Sequence, residues 1–214
     1  MSASQSSLFS DVVSISTTDG DISVTVPSGT TLLLVRKAGA YSALTLADLG
    51  ANAGTRVIYV TDSNLRFIEC WQIDAPASGS QTVSLRTAEG TRDFYVRIDA
   101  LSGVETTPRD ADTIGSYGSD RSVTLTTVAG DLVFDIITSD TYLALADGRT
   151  SQYNGSPAID AGGNVGMSTA TATGTSTTMG WTHTPSFTAL LAVAYPEASG
   201  GGGSGKFRNY FSRR

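Results

Sequence analysis

The chain has one histidine, His183, and one cysteine, Cys70, and this sets narrow limits on its chemistry. Nucleophilic catalysis needs a base held beside the nucleophile. His183 lies in Trp181-Thr182-His183-Thr184-Pro185, on the face of Trp181 and near a strand end, and reads as a structural or loop histidine. Cys70 falls inside an apolar strand and reads as buried and inert. A lone cysteine excludes an intrachain disulfide and a Cys-rich metal site, and a lone histidine excludes a multi-His cluster. Glycoside hydrolysis needs two carboxylates facing each other across a cleft. The four glutamates, Glu69, Glu89, Glu105 and Glu197, show no Glu-x-Asp-x-x-Glu spacing. Glu69 shares a strand face with Phe67 and Trp71, where a half-buried, ion-paired or edge position is expected. Calcium needs several oxygens close in sequence. Asp19-Gly20-Asp21 and Asp110-Ala111-Asp112 are the candidates, and both read as turn aspartates that bond their own backbone. The expectation is a non-enzymatic protein without cofactor or metal.

Binding residues are easier to find. Tyr41, Tyr117, Tyr142 and Tyr153 fall in expected loops, where an aromatic ring can stack on a sugar or meet a protein partner. Residues 198–205 are a Gly/Ser linker by composition. After it comes Lys206-Phe207-Arg208-Asn209-Tyr210-Phe211-Ser212-Arg213-Arg214, nine residues with four positive charges and three aromatics. The rest of the chain has 10 basic and 20 acidic residues. A cationic, aromatic peptide tethered to an acidic body suits docking, because Arg and aromatics anchor interfaces and a tether raises effective concentration. Lys206, Phe207, Arg208, Tyr210, Phe211, Arg213 and Arg214 are the candidate partner-docking residues.

The net charge of −6 does not favour nucleic-acid binding, which needs a basic face. The opening Met-Ser-Ala-Ser-Gln-Ser-Ser lacks a basic n-region and an apolar h-region, and no apolar run is long enough to span a membrane. Synthesis in a cytoplasm is expected, without membrane partners.

The elements that must position these residues are strands. Gly, Ser, Thr and β-branched residues abound, and they suit strands and turns better than helices. Residues 1–10 read as an N-terminal arm. Val12–Ile15 and Ile22–Val26 alternate about Thr18-Asp19-Gly20-Asp21 and predict a hairpin. Residues 31–36 form a nearly continuous apolar run, the mark of a strand covered on both faces. Residues 44–52 predict one short helix. Strands are expected over 56–61, 65–73, around Val83 and Leu85, and over 94–100. Residues 102–121, poor in strand formers, read as a long crossing loop. Ser122–Ile137 alternates on both sides of Ala129-Gly130-Asp131 and predicts a second hairpin. Residues 139–163 look irregular, and strands return over 165–173, 177–182 and 189–195. No internal repeat is evident. About a dozen strands spaced roughly 8–15 residues apart predict an all-β antiparallel sandwich with little helix. One sandwich over 11–197 is favoured, with the 102–121 loop as the boundary if there are two.

The run Thr127–Asp135, the segment Gly174–Trp181, the strand Ala189–Ala194 and the earlier Ile73–Ser80 together resemble jelly-roll, concanavalin-like sandwich domains. Such domains occur in bacteriophage virion proteins and in some bacterial surface proteins. The resemblance covers roughly residues 29–197 and rests on structural motifs. It implies a virion structural protein, a capsid decoration, head fibre or tail component that binds copies of itself and other virion proteins. The alternative is a carbohydrate-binding or adhesive module for a host-surface glycan.

Overall fold

The computed structural model describes residues 2–40, 42–62, 66–146, 149–160 and 162–199. The described residues form 17 strands and no helix. Nine strands belong to the first half: β1 (Ser4–Ile15), β2 (Asp21–Val26), β3 (Leu32–Ala40), β4 (Leu44–Leu49), β5 (Asn52–Ala53), β6 (Thr55–Thr61), β7 (Arg66–Asp74), β8 (Gly79–Thr87) and β9 (Arg92–Ser102). Eight belong to the second: β10 (Asp110–Gly118), β11 (Arg121–Thr126), β12 (Leu132–Ser139), β13 (Ala144–Leu145), β14 (Thr150–Gly155), β15 (Asn164–Thr171), β16 (Ser176–Thr182) and β17 (Ser186–Tyr195).

These strands make four antiparallel sheets. The first half builds an inner sheet, β1-β9-β3-β7-β6, and an outer sheet, β2-β8-β4-β5. The second builds an inner sheet, β10-β17-β12-β15-β14, and an outer sheet, β11-β16-β13. The chain steps back and forth between facing sheets in the same order in both halves, with β1, β2, β3, β7, β8 and β9 answered by β10, β11, β12, β15, β16 and β17. This is jelly-roll winding, and it occurs twice.

Burial explains the layering. In β2 exposed and buried residues alternate along its whole length, as an outer sheet requires. In β12 and β17 nearly every residue is buried, because an inner sheet packs on both faces. Leu33 and Val35 enter the first half's own core with Val83, Leu85 and Phe94. Leu32 and Leu34, one residue out of phase, enter a central core with Phe134, Ile136, Leu191 and Tyr195. Val133 and Ile137 point the other way, into the second half's core with Leu125, Met179 and Trp181. The molecule is therefore four sheets deep, and its middle core joins the halves.

Several expectations change. The single sandwich is two, and the missing repeat is present in topology. The 122–137 segment is not a hairpin, since β11 pairs with β16 while β12 pairs with β15 and β17. The 12–26 segment fails in the same way, with β1 on β9 and β2 on β8. Both turns carry the chain from one sheet to the one facing it. Residues 4–10 of the expected arm are the start of β1, held on β9 down to Ser4. The expected helix at 44–52 is β4 and β5, because β8 offers Leu44, Ala47 and Leu49 a sheet edge over the core. The expected loop at 102–121 contains β10, and the irregular 139–163 contains β13 and β14.

Candidate functional site

Charged groups within the cores come first. Lys37 and Glu69 are both fully buried, with Lys37 Nζ 3.1 Å from Glu69 Oε1. Lys37 follows Leu33 and Val35 on the inward face of β3, so the strand's own period delivers it to the core. It also donates to the Ser42 carbonyl at 2.6 Å and lies 4.2 Å from the Phe94 ring centre. Glu69 accepts from the Leu44 amide at 2.8 Å and from Trp71 Nε1 at 3.1 Å. Burial lowers the Lys37 ammonium to about 8, although Glu69 pulls it back up. Glu69 is thus fully buried, not half-buried or at an edge, and four donors or cations occupy its oxygens, counting Arg56 at 3.6 Å.

The second half has a parallel arrangement. Asp135 takes the Ser168 amide at 2.7 Å, the Ser168 hydroxyl at 2.9 Å, Trp181 Nε1 at 2.9 Å and Arg149 Nη1 at 2.8 Å. Burial pushes its carboxyl up, while Arg149, Ser168 and Trp181 draw it down. Gly166 allows this packing, since a Cβ there would lie 2.8 Å from the Trp181 ring. Between the halves, buried Arg36 donates to Asp99 Oδ2 at 2.5 Å and to the Asp135 carbonyl at 2.9 Å. Arg97 and Gln5 also bond Asp99. Each buried charge has an opposite partner and further hydrogen bonds, the condition on which it can be buried at all.

The remaining candidates are dispersed. Cys70 is fully buried and burial pushes its thiol up to about 12, so it is not a nucleophile at neutral pH. His183 Nδ1 donates to the Thr184 carbonyl at 2.8 Å, and its Nε2 is buried without a partner among the described residues. Asp19 Oδ1 accepts from the Gly20 amide at 2.9 Å, whereas Asp21 pairs with Arg86 at 2.8 Å. Asp110 and Asp112 are strand residues, not turn residues. Their carboxylates accept from the amides of Ala111 (2.9 Å) and Thr113 (2.7 Å) on β10. Asp11 does the same for Val12 on β1 at 2.7 Å. No group of three metal-ligating side chains occurs among the described residues. Tyr153 is in β14, not a loop, and stacks on Tyr95 with ring centres 4.0 Å apart. Tyr117 is in β10, 61% exposed, and meets Phe187 edge-on; Tyr142 is 76% exposed in a loop. Tyr41 and the docking candidates Lys206, Phe207, Arg208, Tyr210, Phe211, Arg213 and Arg214 lie outside the described residues.

One feature had no sequence signal. A groove of about 560 Å³ opens between β15 and β16, lined by Arg149, Thr150, Thr169, Thr171, Thr177 and Thr178 among others. It lies where the second half departs from the first. In the first half β4 pairs with β8 along Val83–Thr87. In the second, β13 pairs with β16 only at Trp181 and Thr182. The outer edge of β16 from Ser176 to Met179 therefore has no neighbouring strand among the described residues. An open strand edge beside a hydroxyl-lined trough can accept an extended peptide through backbone hydrogen bonds. No protein-family model, curated protein or solved structure matches this chain, so its function has to be argued from this geometry alone.

Proposed function

We propose that the protein is a non-enzymatic structural component of a bacteriophage virion, a capsid decoration or head fibre, which assembles with copies of itself and other virion proteins by docking through its ends. The observation that carries this reading is the use of the charged groups inside the fold. Lys37–Glu69 and Arg36–Asp99 are ion pairs between neighbouring strands of the first inner sheet, Asp135 of β12 is paired with Arg149, and Arg36 also reaches across the central core to the Asp135 carbonyl. Such a body serves as a rigid spacer between binding ends. The cationic, aromatic 206–214 segment follows a Gly/Ser linker on a body with excess acid, which favours docking by the tail. Deleting residues 199–214 is expected to leave the circular-dichroism spectrum and unfolding midpoint unchanged while removing the protein from its particle. Normal incorporation of the shortened chain, scored by electron microscopy and gel analysis of purified particles, would defeat the proposal.

A second reading rests on Tyr117 and Tyr142, the two most exposed large apolar side chains among the described residues. Exposed tyrosines suit stacking on sugar rings, as a host-glycan adhesin would require. A glycan array probed with the whole chain separates the two readings, since the adhesin must bind and lose binding in Y117A/Y142A.

A further inference from the structure

We infer that Asp11, Asp110 and Asp112 are edge guards. Each carboxylate occupies an outward backbone N–H of an end strand, and so keeps a second copy of this chain from pairing with the sides of the inner sheets. This role stands whatever partner the ends of the chain meet.

β1 and β10 are the first strands of the two halves and the end strands of the two inner sheets. Among the described residues each has a neighbouring strand in its sheet on one side only. The other side of such a strand is a template on which a further strand can form hydrogen bonds. The ladders fix which N–H groups point there. In the second inner sheet the Ala172 amide donates to the Asp131 carbonyl at 2.8 Å, just before β12. Odd residues of β12 therefore bond β15 and even residues bond β17. Leu132 meets Tyr195, so the even residues of β17 are left for β10, where Ala194 and Ala192 meet Asp110 and Asp112. Ala111 and Thr113 aim their amides away from the sheet. In the first inner sheet the Ala75 amide donates to the Thr31 carbonyl at 2.9 Å, which turns the even residues of β3 toward β9. The even residues of β9 are left for β1, where Val96 and Phe94 meet Asp11 and Val13. Val12 therefore faces outward.

The outward amides of Val12, Ala111 and Thr113 are the ones that carry carboxylates. Asp11 Oδ1 accepts from Val12 at 2.7 Å, Asp110 Oδ1 from Ala111 at 2.9 Å and Asp112 Oδ1 from Thr113 at 2.7 Å. Each bond runs from an aspartate to the very next amide, so it forms without a partner strand. Asp110 also takes the Thr126 amide at the end of β11 through Oδ2 at 2.7 Å, which closes the side of the second sandwich between its two sheets. A strand arriving from a second copy would bring backbone carbonyls to these N–H groups. It would meet carboxylates already in place, an acceptor against an anionic acceptor, and would have to break a charge-assisted hydrogen bond for each N–H it gained.

The other end strands of the inner sheets are handled differently. β6 and β14 both carry a register shift, at Arg56/Ile58 and Ser151/Tyr153, and a bulge twists an edge out of pairing. β1 has such a shift at Ser7/Phe9, and Asp11 covers the regular stretch that follows. β10 pairs with β17 in one unbroken register, and it is the strand with two guarding carboxylates.

The full chain tests this, each variant being read as a difference from wild type, so tail docking does not enter the comparison. D11A/D112A should keep the circular-dichroism spectrum. In dilute solution, where the chains sediment alike, its Val12 and Thr113 amide hydrogens should exchange about tenfold faster once corrected for the changed neighbour. In sedimentation velocity it should self-associate at a concentration about tenfold below wild type. D11N/D112N, whose side-chain carbonyls still accept the N–H, should behave as wild type. Adding V12P and T113P to D11A/D112A removes the two freed N–H groups, neither of which bonds a neighbouring strand, and should abolish the gained association. The exchange and asparagine readouts stand even if the proline variant fails to fold. D11A/D112A sedimenting as wild type at every concentration overturns the guard role. Association gained equally by D11N/D112N overturns the hydrogen-bonded guard in favour of plain charge repulsion. Association that survives the prolines overturns β1 and β10 as its route.

Discussion

Lys37 and Glu69 show how one residue can set a measurable property of the whole fold. Both are buried without exposure, so each depends on the other to offset its lost hydration. Glu69→Gln would keep the shape but leave Lys37 without its counter-charge. It is expected to cost about 3–5 kcal/mol in urea unfolding, the range for a broken buried pair. The pH dependence follows from the direction of the Lys37 shift. Its ammonium titrates near 8 when folded and near its usual 10.5 when unfolded. Between these values the folded protein holds fewer protons at this site than the unfolded chain, so stability rises with pH across that window and the full burial penalty is present below about 8. The difference in urea midpoint between the wild type and Lys37→Met should change in that direction from pH 8 to 10, and a flat difference would refute the assignment. The sequence carried part of this. Glu69 stood out because it interrupts an apolar face beside Phe67 and Trp71. Lys37 and Asp135 carried the same signal, each being charged where period-two counting demands an apolar residue. Arg149 carried none, because it lies between β13 and β14 in a segment too polar to show a period.

At the scale of elements, what could be read was which face of each strand is buried, and what could not was which strand it joins. The alternation of Ser122–Thr126 matches its burial, whereas the alternation over Leu132–Ile137 implies one buried face and β12 is buried on both. The error in pairing lay in the turn. A hairpin and a crossing between two facing sheets need the same alternation and the same glycine, and only tertiary packing separates them. Likewise Leu44–Leu49 fits a helical or an extended pattern, and the open edge of β8 decides. β10 escaped notice because Gly115 and Ser116 occupy its middle, and Gly115 is needed there, where a Cβ would lie 2.8 Å from the Thr61 carbonyl oxygen of β6. The turn from β2 to β3 and its counterpart from β11 to β12, which also cross between facing sheets, give a paired prediction. Gly29 and Gly130 both have positive φ, at 79° and 100°. A Cβ at Gly29 meets nothing within 4 Å, whereas one at Gly130 would lie 2.5 Å from Glu197 Oε2. Gly29→Ala should therefore cost about 1 kcal/mol of backbone strain alone, and Gly130→Ala should cost more, because Glu197 must also shift. Equal midpoints in thermal unfolding would refute the ranking.

The whole molecule behaves as a dimer written on one chain. The inner sheets face each other so that β6 of the first runs along β10 of the second. On the opposite side Tyr153 of β14 stacks on Tyr95 of β9, whose hydroxyl is 2.6 Å from Ser10 of β1. Exchanging the halves sends β6 to β14 and β10 to β1, so each seam maps onto the other, as in an isologous two-fold contact. The repeat was hidden in the sequence because the halves share burial pattern and winding, while their core charges differ, Lys37–Glu69 in one and Asp135–Arg149 in the other. The shared central core makes each half dependent on its partner. Leu32, Leu34, Ile68 and Leu101 from one side, and Phe134, Ile136, Leu191 and Val193 from the other, are buried in the same cluster. Arg36 of the first half bonds the Asp135 carbonyl of the second at 2.9 Å. A half made alone would expose that whole face, well beyond what soluble monomers leave uncovered. Fragments 1–106 and 107–214 are therefore expected to be insoluble or self-associated when made separately, and to copurify as a 1:1 complex when made together. The intact chain should melt in a single calorimetric transition with equal van't Hoff and calorimetric enthalpies. Either fragment remaining a folded monomer, or two separate transitions, would mean that the central core does not couple the halves. Leu34→Ala in that core should then shift only the first transition, whereas a coupled molecule moves as one, by about 2–5 kcal/mol.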